Sequence, residues 1–176
     1  MTDDETPLAP WMRLVAHYGG DAKTAREAVV VVRGVHVQIE KRDRQNRSPY
    51  RTFTTSGIPD WVTIAVAFYS KGGGPVFEVR EPTGFEGLLE MVGLLREVQL
   101  GDEEIDGLCV VRATDVDAMR RVWTEEARTR FKAMRNHARS VLSDGEKVWI
   151  EVVEESADVP LLVSMVELVA EIARAA

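Results

Sequence analysis

A chain of 176 residues, 45% apolar and 29% charged, has the length and composition of one globular domain. The net charge of -7 makes nucleic acid and anionic lipid unfavourable partners, because the average field of the molecule repels both. The single cysteine, Cys109, excludes an intramolecular disulfide and a thiolate metal cage. The acidic start of the chain lacks the pattern of a secretory signal, so we expect a cytoplasmic protein with residues 1–7 as an acidic tail and residues 8–176 as one domain.

The N-terminal half predicts a short helix and then strands. Apolar residues at helical spacing in PLAPWMRLVAHY predict a helix that stops at Gly19 and Gly20. Within AVVVVRGVHVQIEKRD, apolar and polar residues alternate over 35–40, which predicts a half-buried strand whose pattern breaks at Lys41. WVTIAVAFYS and PVFEVRE are rich in β-branched and aromatic residues, so we expect two strands paired as a hairpin around the flexible KGGG between them.

The middle of the chain predicts a helix in TGFEGLLEMVGLLREVQLG and a strand in EIDGLCVVRA, in which Cys109 is expected to be a buried apolar residue. Two helices follow. Thr114 is predicted to cap the first, with Asp117 as its reciprocal capping residue. Thr124 is predicted to cap the second, which carries acidic residues in its first turn. One face of the second helix is apolar and is expected to be buried: Ala127, Phe131, Met134 and Ala138.

The C-terminal part predicts a hairpin and a final helix. Asp144-Gly145 is a preferred turn pair between the two strands of SVLSDGEKVWIEVV. Asp158 and Pro160 mark the start of a helix that is apolar almost all round. Its one polar stripe consists of Ser164, Glu167, Glu171 and Arg174.

The apolar surface of this C-terminal helix exceeds what one sheet face covers, and two explanations are open. In the first, the excess mediates self-association or binding of a protein partner. In the second, the N-terminal helix packs over it through Trp11, Leu14 and Val15. The helix is too charged, and its apolar run too short, for a membrane span.

Together these elements predict a single α+β domain in which a mainly antiparallel sheet is covered by helices. The order of a strand, TDVDAMRRVWTEEARTRFKAM and the hairpin VLSDGEKVWIEV resembles the C-terminal part of an uncharacterised bacterial domain family of unknown function. The resemblance covers Val76 to Val153. It implies the same fold for this part, and it implies no activity, cofactor or site residue.

Residues able to support catalysis are scattered. His17, His36 and His137 have no ligand spacing, and the acidic runs DEEID and EVVEESAD lack the spacing of a calcium loop. The glycines of KGGGP lead into a strand instead of a helix, which favours a turn over a phosphate-binding loop. We therefore predict no catalytic residue, no metal and no cofactor.

One segment, KRDRQNRSPYR, is a candidate binding site. Its basic residues outnumber its one acid, Asp43, by four, and arginine offers two parallel donors to phosphate or carboxylate groups. A solvated loop without a ligand is the alternative interpretation. The candidate residues are Lys41, Arg42, Arg44, Arg47, Tyr50 and Arg51.

Three functions are compatible with these patterns. We expect a non-enzymatic protein-binding or adaptor domain, because no catalytic constellation is visible. The alternatives are anion or nucleic-acid binding through residues 41–51, and an enzyme whose site is assembled from scattered carboxylates. A deep pocket with convergent polar groups would favour the enzyme, and a flat apolar or basic surface would favour the binding domain.

Overall fold

The computed structural model describes residues 8–24, 26–43, 61–70, 72–82, 96–152 and 158–176. In these residues the helices are α1 (Leu8–Tyr18), α2 (Glu103–Leu108), α3 (Val116–Val122), α4 (Glu125–Met134) and α5 (Val159–Ala175). The strands are β1 (Gly20–Thr24), β2 (Glu27–Val32), β3 (Val35–Asp43), β4 (Trp61–Phe68), β5 (Val76–Arg80), β6 (Arg96–Glu97), β7 (Val110–Ala113), β8 (Ala138–Asp144) and β9 (Lys147–Val152). The predicted α+β domain with an antiparallel sheet is confirmed.

The strands form one sheet in the order β1-β2-β3-β4-β9-β8-β5-β7-β6, with every neighbouring pair antiparallel. The predicted pairing of β4 with β5 is wrong, because the β8–β9 hairpin lies between them. The link between β4 and β5 spans three strand spacings, about 14 Å, and seven extended residues can cover that distance. It is held against the β8–β9 turn, where Gly145 O accepts from Gly74 N at 2.8 Å and Glu146 O accepts from Tyr69 N at 3.0 Å.

The predicted strand over 35–40 is β3, which continues past Lys41 to Asp43. The valines before it form β2, and β1 is a further strand that the sequence analysis did not predict. β2 and β3 are joined by a tight turn in which Arg33 and Gly34 have φ values of 51° and 84°. Two successive positive φ values suit the right-handed twist of a hairpin.

Helix starts differ from the prediction at two places. Asp115, not Thr114, caps α3 and accepts a hydrogen bond from Ala118 N. The segment predicted as one strand before α3 is divided, because Asp102 caps the short helix α2 and only Val110–Ala113 is a strand. Thr124 caps α4 as predicted, but Ala138 begins β8 instead of extending the helix face. The helix predicted in TGFEGLLEMVGLLREVQLG lies mostly outside the described residues.

One face of the sheet, the inner face, is fully buried. Its two central cross-strand rows contain residues that are at most 4% exposed. The first row, from β2 to β7, consists of Val30, Val37, Ala67, Val148, Ser143, Phe77 and Ala113. The second row crosses the same strands and consists of Ala28, Ile39, Ala65, Ile150, Val141, Val79 and Val111. Helix α5 contacts β2, β3, β4 and β9. At the other end of the sheet, Trp123 after α3 meets Phe77 edge-to-face, with ring centroids 6.1 Å apart.

The apolar surface of α5 is covered within the chain. Helices α1, α3 and α4 all contact α5, and Trp11 and Leu14 of α1 are 4% and 0% exposed. Leu161, Leu162, Met165, Val166, Leu168, Val169 and Ile172 are all buried. Packing of the N-terminal helix over α5 is therefore the correct one of the two explanations, and self-association through an excess apolar face of α5 is not supported. No helix in the described ranges is long and apolar enough to cross a membrane.

Candidate binding surface

The second face of the sheet, the outer face, is only partly buried. Along β2 and β5, buried residues of the inner face alternate with half-buried residues that point outward. The exposure is greatest at one end, where Phe68 is 56% exposed at the end of β4. At the opposite end of the same strand Val62 and Ile64 are each only 8% exposed.

We define the outer-face patch as Val66, Phe68, Leu142 and Trp149. Trp149 lies directly opposite Val66 on one neighbouring strand and Leu142 on the other. Phe68 is two residues beyond Val66 and therefore on the same face. Neighbouring strands lie about 4.8 Å apart, so these side chains form one continuous apolar surface.

Polar side chains border the outer-face patch. Gln38 lies between Val29 and Val66 in the cross-strand register, and its amide donates to Glu27 Oε1 at 3.1 Å. Lys147 Nζ is 5.6 Å from the centre of the Trp149 ring, a distance at which a cation is attracted to the ring. An apolar centre with aromatic residues and a polar rim is the usual composition of a protein-binding surface.

The glycines of KGGGP have a structural use beside this surface. A Cβ on Gly74 would lie 2.4 Å from the Tyr69 ring, so only glycine fits beneath that ring. The Tyr69 hydroxyl is 2.9 Å from Ser143 Oγ, and burial raises the pKa of Tyr69 to about 12. These contacts fix the β4–β5 link, which crosses the β8–β9 turn and is not the predicted hairpin turn.

The Arg-rich segment is described only at its start. Arg42 pairs with Glu40 at 2.6 Å, and this hydrogen bond raises the pKa of the Arg42 guanidinium. Lys41 lies on β3 beside it, opposite Thr63 of β4. The other candidate residues lie outside the described residues: Arg44, Arg47, Tyr50 and Arg51. Binding through residues 41–51 therefore stays a prediction.

The polar stripe of α5 belongs to a cluster of charges. Glu171 is 4% exposed, and its carboxylate accepts from Thr124 Oγ1 at 3.2 Å and from Arg174 at 2.7 Å. Arg33, in the β2–β3 turn, lies 3.4 Å from Glu171 and pairs with Glu126 at 2.8 Å. The pKa of Glu126 falls to about 2, chiefly because it accepts hydrogen bonds from Arg33.

One helical turn earlier, Glu167 accepts from the Tyr18 hydroxyl at 2.7 Å and pairs with Arg130. Arg130 also reaches Glu126 at 2.8 Å, which connects the two halves of the cluster. Burial raises the pKa of the Tyr18 hydroxyl. Three arginines thus face three glutamates on three elements, which are the β2–β3 turn, α4 and α5. Because their charges are matched and a paired glutamate with a pKa near 2 does not exchange protons near neutral pH, we interpret the cluster as structural.

The remaining candidates for chemistry are separate from one another. Cys109 is half-buried at the C-terminal cap of α2, not inside a strand, and burial raises the pKa of its thiol. His17 stacks edge-to-face on Tyr18, while His36 and His137 are exposed on other elements. Within the described ranges, no three His, Cys, Asp or Glu side chains are grouped as metal ligands.

The outer-face patch was not predicted from the sequence, although the strands that carry it were. The available signal was the segment IAVAF, in which both sets of alternating residues are apolar. A strand of that kind is buried on both faces or is exposed on one for a partner.

No protein-family model and no curated protein matches this chain. Among solved structures, the chain is similar to the mycobacterial trehalose monomycolate transport factor A, TtfA, with 17% sequence identity and a TM-score of 0.51. The match covers 85% of this chain and 70% of that chain. At this identity the similarity shows a shared fold.

Proposed function

We propose that this chain is a non-enzymatic protein-binding domain whose binding surface is the outer-face patch. The observation that carries the proposal is Phe68, which is 56% exposed and shares its face with Trp149, Val66 and Leu142. Val66, Leu142 and Trp149 are half-buried, so the patch is partly open to solvent, and contiguous exposed apolar patches are uncommon on domains without a partner. Phe and Trp are also enriched at the centres of protein interfaces.

The charged groups support the same proposal over an enzyme. The carboxylates that cluster in the described residues, Glu126, Glu167 and Glu171, each accept hydrogen bonds from neighbouring side chains. A general acid or base needs a pKa near the working pH, whereas the pKa of Glu126 is about 2. Anion binding through residues 41–51 is the alternative, and it depends on the arginines beyond Arg42.

The test compares capture of proteins by the wild-type chain with capture by Phe68→Ser. A partner that uses the outer-face patch is retained by the wild type and lost from the variant, because the interface loses a large apolar side chain. Leu108→Ser is the matched control, since Leu108 is 47% exposed and lies on α2, which contributes no residue to the patch. The control is expected to retain the partner.

A second measurement uses the chain alone. A dye that fluoresces on apolar surfaces should bind the folded wild type, and Phe68→Ser should weaken this binding more than Leu108→Ser does. Equal dye binding by all three proteins, together with capture of the same proteins by all three, would refute the proposed surface. A partner lost only when residues 41–51 are neutralised would favour the anion-binding alternative.

A further inference from the structure

Strand β1 forms one edge of the sheet. In the strand order it has β2 as its neighbour and no described strand on its other side. Four of its five residues are exposed, and the central Ala22 is half-buried. An edge of this kind presents main-chain donors and acceptors that another strand can pair with.

The alternation of hydrogen bonds along β1 shows which main-chain groups point away from β2, toward the free side of the edge. Val31 N donates to Gly19 O at 3.2 Å, so residues 19 and 31 form a hydrogen-bonded pair. The register continues with Asp21 opposite Val29 and Ala22 opposite Ala28, and it shifts between Ala22 and Thr24, so that Lys23 lies at a β-bulge. Hydrogen-bonded and non-bonded pairs alternate in antiparallel ladders. Asp21 therefore bonds toward β2, while the N–H and C=O of Ala22 point away from β2 to the free side.

The charged side chains on this edge are complementary to those on the same edge of a second copy of the chain. Asp21 lies opposite the outward-facing Val29, and the Lys23 ammonium reaches Glu27 at 3.6 Å on the same outer face. If two β1 strands pair antiparallel about Ala22, each Asp21 lies opposite Lys23 of the other copy. That pair is of the non-hydrogen-bonded kind, in which facing side chains are closest.

Other registers are disfavoured by the same charges. A twofold axis at Asp21 would place the two Asp21 carboxylates opposite each other. A twofold axis at Lys23 would place the two Lys23 ammonium groups opposite each other. The Ala22 axis also lets the two Ala22 residues exchange both of their free main-chain hydrogen bonds. Charge and hydrogen-bond phase thus select one arrangement.

We propose that this chain pairs with a second copy of itself through β1, with a twofold axis at Ala22. Helix α1 contacts both β1 and β2, so it lies at the same edge of the sheet. Pairing of the strands also brings the two α1 helices toward each other. Contact between these helices adds to the interface area, which would be small if only two five-residue strands were in contact. Met12 of α1 is 53% exposed and is available for this contact. The interface is separate from the outer-face patch of the proposed function.

The test is sedimentation of the full chain over a range of concentrations up to about 100 µM. The wild type should dimerise. Asp21→Lys should weaken the dimer about tenfold, because the twofold axis places two new lysines opposite Lys23 residues. Lys23→Asp should weaken it similarly. The double variant Asp21→Lys/Lys23→Asp restores opposite charges and should restore the dimer.

Asp117→Lys is the control, because Asp117 is exposed on α3 and the charge change is the same. Circular dichroism and thermal melting establish that each variant is folded, and Lys23→Asp carries the test if Asp21→Lys does not fold. A wild type that stays monomeric overturns the proposal, and would mean that Lys23 protects the edge from pairing. A dimer that the charge variants affect no more than the control does also overturns it.

Discussion

Arg33 and Glu126 are 93 residues apart in the chain, and their side chains meet in two parallel hydrogen bonds of 2.8 and 3.1 Å. The pair ties the β2–β3 turn to α4. Arg33 is also the one non-glycine residue with positive φ in the described part of the chain. A two-pronged arginine–carboxylate contact has a fixed geometry, so it orients the turn as well as holding it.

This pair predicts a dependence of stability on acid. The pKa of Glu126 is lowered in the folded chain from 4.5 to about 2. The stability that it contributes is therefore fully present above about pH 4.5 and is lost as the pH falls toward 2. Glu126→Gln should be less stable than the wild type at pH 7 and equally stable near pH 2, measured by urea unfolding. Glu125→Gln, in the same helical turn, is the control. A constant difference between Glu126→Gln and wild type across this range would contradict the prediction.

The core under α4 predicts a large effect at Phe131. Its side chain is 3% exposed and meets Trp123 edge-to-face, with centroids 5.5 Å apart. Phe131→Ala should lower the free energy of unfolding by about 3–5 kcal/mol, through lost burial and the cavity left behind. Thr129→Ala, on the exposed side of the same helix, should change it by less than about 0.5 kcal/mol. A loss below about 1 kcal/mol for Phe131→Ala would show that this face is not packed.

The cap of α3 can be located by two neighbouring substitutions. Asp115 accepts from Ala118 N at 2.9 Å, whereas Thr114 Oγ1 is 3.5 Å from Val76 O. Asp115→Ala should reduce the free energy of unfolding by about 1 kcal/mol, because a main-chain donor loses its acceptor. Thr114→Ala should have a smaller effect. If chemical denaturation showed a larger loss of stability for Thr114→Ala than for Asp115→Ala, Thr114 would be the capping residue.

The β4–β5 link predicts a steric effect at one glycine. Gly74→Ala places a methyl group against the Tyr69 ring and should destabilise the chain by about 1–3 kcal/mol. Gly107 is the matched control, because it has open space around it and lies inside α2. Gly107→Ala should stabilise the chain by up to about 1 kcal/mol. Thermal melting distinguishes the two, and equal shifts would argue against close packing at Gly74.

Cys109 is expected to react slowly with a thiol reagent in the folded chain. Burial raises the pKa of its thiol, and the thiolate is the reactive form. The reaction at pH 7 should accelerate when urea unfolds the chain. Rapid labelling of the native chain at the unfolded rate would point instead to an exposed, activated thiol.

The sequence predicted local structure well where one residue determines it. Thr124, Asp144 and Asp158 each accept main-chain hydrogen bonds at the positions that their side chains indicated. The prediction shifted by one residue at Asp115, because Thr114 and Asp115 are both good capping residues and only the backbone conformation decides between them.

Relationships between distant segments were harder to predict. Alternation identified β4 and β5 but could not show that β9 and β8 separate them, since strand pairing depends on contacts remote in the chain. The polar stripe of α5 was predicted, but its partners Arg33 and Arg130 come from other elements. The outer-face patch likewise exists only once β4, β8 and β9 lie side by side.

The position of the β8–β9 hairpin between β4 and β5 affects the order in which the chain can fold as it is synthesised. Strands β4 and β5 are made early, but each lacks one of its two neighbours until residues 138–152 have been added. A nascent chain that ends before β8 exposes two apolar strand edges in the middle of the future sheet, and such edges promote aggregation. The central part of the sheet can therefore be completed only after the β8–β9 hairpin has been synthesised.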